Sequence, residues 1–239
     1  MIDAINDFND TKIEINKYFD FLEKVDGLNI GVPFIHYPIN PSIPSYKIDE
    51  EVSKILKANA FLMLYNLTEA TIKNGIWELL TRVESEQIPY KDLKEELKNI
   101  WLDRKLQIEF KSKDNAIVKQ LSKVIESVLN NTLIFYTDKK QIKFESGNLN
   151  IDTIKKTAKL YGFAKVDEVH TNQKEAFKKV KAERNNLAHG DKTFSDCGND
   201  YSFNDLKNYK DYVFDYLERV LQSIETFIND KGYKQITLP

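Results

Sequence analysis

Cysteine is almost missing from this chain: Cys197 is the single one among 239 residues. That excludes an internal disulfide framework and any metal centre built on several thiolates, and it fits a reducing compartment. Glycine and proline are also scarce, at eight and six. A chain so poor in helix breakers and rich in Lys, Glu, Leu and Ile suits a helical protein. Long apolar runs are absent as well. The most apolar window, AFLMLYNL at 60–67, is far too short to cross a bilayer. The opening MIDAINDFND lacks a basic start followed by an apolar stretch. The expectation is therefore a cytoplasmic protein with no membrane partner. Charge of one sign is not in excess: 35 Lys and Arg stand against 37 Asp and Glu, a net charge of −2. Any nucleic-acid role must then rest on a local basic patch.

What is present is helical periodicity. Ile5, Phe8, Ile15, Phe19 and Leu22 recur at helical spacing up to Gly27, with a break conceivable near Asn9–Asp10, and predict a helix over about 2–25. The segment 27–47 holds four of the six prolines and reads as a connector, since proline removes a backbone donor and fixes φ. A strongly apolar pattern follows over about 48–86, through Val52, Leu56, Met63, Leu67, Leu79 and Val83. Gly75 interrupts it, giving two helices or one kinked helix. Further helices are predicted over about 91–110 and 114–130, the latter with Ile117, Leu121, Val124 and Val128 as its buried stripe. TLIFYTDKKQIKF at 132–144 is the one place where a short β-hairpin competes.

The second part opens with SGNLNIDTIKKTAKLYGF, 146–163, a loop and a short helix closed by Gly162 in the usual C-cap place. Asn172 and Glu175 resemble a capping pair for the next helix. After the loop GDKTFSDCGNDY, Ser202 and Asp205 can cap a long last helix with Leu206, Val213, Leu217, Val220, Ile224 and Phe227 inward. The predicted class is an all-α helical bundle. It has an N-terminal helical part over 1–144 and a motif-bearing part over 145–239, read as one continuous domain.

The motif is KAERNNLAHG, 181–190, with Arg184 five positions ahead of His189. At about 100° per residue, Phe177, Val180, Arg184 and Leu187 share one side of the helix, while Lys174, Lys178, Lys181 and Asn185 share another, which His189 joins if the helix lasts that far. The plain alternative is an arginine whose stem packs on the apolar stripe beside a solvated lysine row. The combination argues otherwise: three lysines, an arginine, an amide and a histidine converge where a helix meets a loop. His36 and His170 lack such company and read as structural or surface residues. Asp191 and Asp196 follow the histidine but make a poor metal site without more ligands.

Histidine exchanges protons near neutral pH, and arginine presents a permanently charged fork matched to phosphate oxygens. Together they can cleave RNA with no metal or cofactor. The histidine takes the proton of a ribose 2′-hydroxyl, and the arginine stabilises the transition-state charge. DNA has no 2′-hydroxyl, so this route selects RNA by chemistry. One histidine leaves the leaving 5′-oxygen without a proton donor. A homodimer with facing motifs supplies it, as would a heterodimer or a water.

The run Arg184-Asn-Asn-Leu-Ala-His189-Gly190 resembles the Arg-polar-x-x-x-His motif of HEPN (higher eukaryotes and prokaryotes nucleotide-binding) domains. Its flanks, over roughly 145–230, look like the MAE_28990/MAE_18760 branch of HEPN-like nucleases. Before residue 145 no motif of the family is evident. The resemblance implies a helical bundle, metal-independent endoribonuclease activity and a dimer that pairs the motifs. It also implies a role in toxin–antitoxin or anti-phage defence, with an antitoxin or other defence-system protein as partner. Arg184 and His189 take the catalytic places and Asn185 the polar place, with Lys174, Lys178 and Lys181 as the row that guides RNA. Some HEPN toxins carry a tyrosine two residues beyond the histidine, linked to control by nucleotidylation; Asp191 stands there in this chain. The other reading is a non-catalytic helical module that binds RNA, nucleotide or protein.

Overall fold

The computed structural model describes residues 3–26, 48–109, 117–130, 133–135, 138–142, 144, 149–164, 166 and 169–235. The described residues are all-helical, with no strand. Eight α-helices follow in order: α1 Asp3–Asp26, α2 Glu50–Ser85, α3 Glu95–Glu109, α4 Ile117–Leu129, α5 Ile151–Tyr161, α6 Thr171–His189, α7 Phe194–Asn199 and α8 Phe203–Asn229. The proline-rich stretch 27–47 lies outside the described residues.

The chain divides into two compact units; three boundaries fall inside α1, α2 and α8 and the fourth between α5 and α6. The first holds residues 1–6, 70–168 and 218–239; the second holds 7–69 and 169–217. In the first, Ile72, Ile76, Leu79 and Val83 of α2 are buried, as are Leu97 and Trp101 of α3, Ile154 and Ala158 of α5, and Leu221 and Ile224 of α8. Gly75 does not break α2, which runs on through it. A Cβ there would lie 2.7 Å from a terminal methyl of Ile224 and 3.5 Å from one of Leu221. The glycine therefore marks a close approach of the last helix, not an end. Tyr233 closes this unit: its carbonyl accepts from Lys94 N at 2.7 Å, and its hydroxyl donates to Glu86 at 2.7 Å.

Two sequence expectations need correction in this unit. In the stretch expected to compete as a hairpin, Leu133–Phe135 is irregular and Lys139–Gln141 is a single 3₁₀ turn, capped by Asp138. That turn occupies the polar segment read as a hairpin loop, while residues 132, 136, 137 and 143 lie outside the described set. The backbone N–H of Phe135 donates to a Glu84 carboxylate at 2.6 Å, so a side chain supplies the partner a second strand would have offered. In α4 the expected stripe is mostly uncovered: Val124 is buried, but Ile117 and Leu121 are 61% and 43% exposed. Periodicity identifies residues that share a face; it does not say that a neighbour is wide enough to cover them.

In the second unit, Ile15, Phe19 and Leu22 of α1, Ala58, Phe61 and Leu64 of α2, Phe177 and Val180 of α6, and Val213, Tyr216 and Leu217 of α8 are all buried. Edge-on ring pairs, Phe8 with Phe214 and Phe177 with Tyr216, fix the register. The helix α1 runs unbroken past Asn9–Asp10.

Candidate active site

The motif rides on α6, and the start of that helix differs from the sequence expectation. The cap is His170 with Gln173, not Asn172 with Glu175: the backbone N–H of His170 donates to Gln173 Oε1 at 3.1 Å. Asn172 and Glu175 lie inside the helix. Gln173, 1% exposed, also donates from Nε2 to Asp215 of α8 at 2.6 Å, and Asn172 Nδ2 meets the Tyr212 hydroxyl at 3.1 Å. The amino end of α6 is thereby tied to α8 by side chains whose partners are fixed.

At the other end α6 stops immediately after His189. Gly190 takes the left-handed conformation, φ 74°, which glycine adopts without a Cβ penalty. The Asn186 carbonyl then accepts from the N–H groups of Asp191 and Lys192 at 2.9 and 3.3 Å. This wrap satisfies a carbonyl the helix would otherwise orphan. It also leaves His189 as the last helical residue, exposed, beside a turn.

Arg184 is half-buried, its guanidinium carbon 4.3 Å from the centroid of the Tyr65 ring on α2. Its Nη1 donates to Asn185 Oδ1 at 2.9 Å, so the polar residue after the arginine holds the fork. Arg184 and His189 are separated by about 140° around α6 and about 7.5 Å along it. Lys174 and Lys178 are exposed and Lys181 half-buried, along the outer side of the same helix.

Behind the motif lies a group that sequence reading did not single out. Glu183 is 7% exposed and collects polar partners from several segments. The Tyr201 hydroxyl donates to it at 2.8 Å, Lys192 Nζ at 3.3 and 3.4 Å, Asn186 Nδ2 at 3.3 Å and Cys197 Sγ at 3.6 Å. Lys192 also donates to Asp200 at 2.6 Å. Burial works against the Glu183 charge, but the Tyr201 hydroxyl, Lys192 and Asn186 outweigh it and hold the carboxyl below its usual range. The sequence carried a signal for this: Ala176, Val180, Glu183 and Leu187 keep helical spacing and are all buried, so an acid stands in the apolar stripe.

The loop expected over 190–201 contains the helix α7, where Thr193 accepts from Asp196 N at 3.0 Å as N-cap. At the last helix the expected cap is present. Ser202 Oγ accepts from Asp205 N at 3.2 Å, and Asp205 accepts from Ser202 N at 2.9 Å. Among the described residues, no group of three or more His, Cys, Asp or Glu could hold a metal ion. No helix among them is long and apolar enough to cross a membrane.

Every regular element among the described residues is helical, and Arg184, Asn185 and His189 stand at the carboxyl end of one helix, α6. A family model described as HEPN_MAE_28990/-like HEPN matches residues 3–233, and the chain belongs to that family, one commonly of ribonucleases. The match takes in the N-terminal helices, where the sequence offered no motif. Comparison with curated proteins and with solved structures gave no match.

Proposed function

We propose that the protein is a metal-independent endoribonuclease acting in toxin–antitoxin or anti-phage defence. The observation that carries this reading is the end of α6: a guanidinium seated over Tyr65 and tied to Asn185, about one and a half helical turns from an exposed imidazole. His189 takes the proton of a ribose 2′-hydroxyl as that oxygen attacks the adjacent phosphorus. Arg184 donates to the non-bridging oxygens as charge gathers on them. The bond to the 5′-oxygen breaks, and the products are a 2′,3′-cyclic phosphate and a 5′-hydroxyl end. The second proton, to the departing oxygen, comes from the His189 of a second copy. The active unit in this reading is a homodimer with paired motifs. Asn185 keeps the arginine fork aimed, and Lys174, Lys178 and Lys181 draw the RNA backbone along α6.

Wild type and His189→Ala are compared for cleavage of single-stranded RNA, with and without EDTA. The expected result is cleavage by wild type that persists in EDTA and a loss of about 10²–10⁴-fold in the variant, the range for removal of a general acid or base. Equal cleavage by the two proteins refutes the nuclease reading and leaves a helical module that binds RNA, nucleotide or protein. Cleavage that disappears in EDTA refutes the metal-free route.

A further inference from the structure

We infer that Tyr65 is a positioning residue for the reaction: its ring is the platform that sets the plane of the Arg184 guanidinium before RNA arrives. The inference rests on the nuclease reading and goes beyond it, by assigning a role to a residue on a different helix and far from the motif in sequence.

The geometry is specific. Tyr65 is 1% exposed in the core of α2, and the guanidinium carbon lies 4.3 Å from its ring centroid. The negative face of an aromatic ring attracts a cation within about 6 Å, more strongly where water is excluded. The guanidinium carbon thus sits over the ring while Nη1 is engaged by Asn185 Oδ1 at 2.9 Å. A guanidinium seated over a ring and tied at one nitrogen has little rotational freedom left. Arginine carries large rotamer freedom, and a fork fixed beforehand loses less of it when a phosphate binds. The ring does this without competing for the phosphate, since a π face accepts the charge but offers no negative oxygen to pair with it. A carboxylate in the same place would fix the arginine by neutralising it. The one buried acid of α6, Glu183, is instead engaged by Lys192, Tyr201 and Asn186.

The test exploits the sign of the ring's quadrupole, which successive fluorine substitutions weaken and then reverse with little change in shape. The full-length protein is made with Tyr65→Phe, with a series of increasingly fluorinated phenylalanines at 65, and with Tyr65→Leu. Each is measured for kcat and KM on a single-stranded RNA oligonucleotide and for Tm. The expected outcome is Tyr65→Phe within about threefold of wild type, then kcat falling stepwise with fluorine count, by about tenfold or more at the fully fluorinated ring. KM stays nearly constant along the series, and Tm falls by several degrees at most, as loss of one cation–π contact allows. A packing role alone would leave kcat of the folded protein unchanged. Tyr65→Leu loses kcat at least as far, and if it fails to fold the fluorine series still decides. A flat kcat across the series, with Arg184→Ala inactive, overturns the role of Tyr65 and leaves the nuclease reading intact. Wild type without cleavage, or Arg184→Ala as active as wild type, removes both.

Discussion

Glu183 shows at the level of one residue how the site is braced. Its buried carboxylate is neighbour to the proposed catalytic arginine in sequence but engages Tyr201, Lys192 and Asn186 instead. It therefore joins α6 to the turn just beyond His189 and to the segment that leads into α8. Lys192 and Cys197, which also meet this carboxylate, are shifted as well. The Lys192 ammonium is held above its ordinary value because Asp200 and Glu183 outweigh the burial that opposes its charge. The Cys197 thiol is pushed up to about 12, first by burial and then by Glu183, so it stays an inert thiol at neutral pH. The pH dependence follows from the directions. A carboxyl depressed on folding contributes stability that is present above its unfolded value, 4.5, and is lost as pH falls through the folded value. For Lys192, raised on folding, the contribution is complete below 10.5 and lost as pH rises beyond it. Glu183→Gln should cost about 1–3 kcal/mol near pH 7, because Lys192 loses its buried charge partner. The gap to wild type should close as wild type itself protonates in acid. Urea denaturation at pH 7 and near pH 3.5 measures both gaps; an equal gap at the two values would contradict the role of the charge.

The helices as elements were largely legible, because burial of one face repeats every three to four residues and few glycines or prolines intervene. Gly162 and the Ser202–Asp205 pair marked ends correctly, since each satisfies backbone groups that a helix end leaves over. What escaped was set by packing rather than by pattern. Gly75 looks like a break until Ile224 is seen against it, and Tyr65 is one apolar residue among many in α2 until a guanidinium lies over its ring. The site was legible as a cluster of chemistries on one helix, Lys174 to His189; its supports, Glu183, Lys192 and Tyr201, depend on contacts no local spacing encodes. The helix α7 is the sharpest case: six residues containing Gly, Ser, Asp and Asn read as a loop, yet they form a turn and a half packed on α6. Gly198 explains the packing of α7. A Cβ there would stand 1.8 Å from the Lys54 carbonyl oxygen of α2, an overlap that no side-chain rotation relieves because the obstacle is backbone. Gly198→Ala should force α7 away from α2 and destabilise the protein by about 3 kcal/mol. A Tm for Gly198→Ala equal to that of wild type would show that the two helices do not meet so closely.

For the whole molecule, net charge argues against a polyanion as ligand: 37 acidic side chains outnumber 35 Lys and Arg. A nuclease built on such a chain must confine its attraction for RNA to one strip. In the proposed reading Lys174, Lys178 and Lys181 would provide it, along about 10 Å of α6 leading to the motif. Each phosphate neutralised releases counterions, so the logarithm of affinity falls with the logarithm of salt by about 0.7 per contact on single strands. Replacing all three lysines by glutamine should make that slope shallower by about 2, measured as kcat/KM for a single-stranded RNA between 50 and 200 mM NaCl. At saturating RNA, kcat should stay within about threefold, because these side chains attract the backbone and take no part in proton transfer or charge stabilisation at the phosphorus. The distinction separates guidance from chemistry: loss of His189 should lower kcat at every salt concentration and leave the slope largely as it was. A triple-glutamine protein with the wild-type slope would mean that the RNA backbone does not run along α6, and the proposed path from solvent to the motif would have to be abandoned.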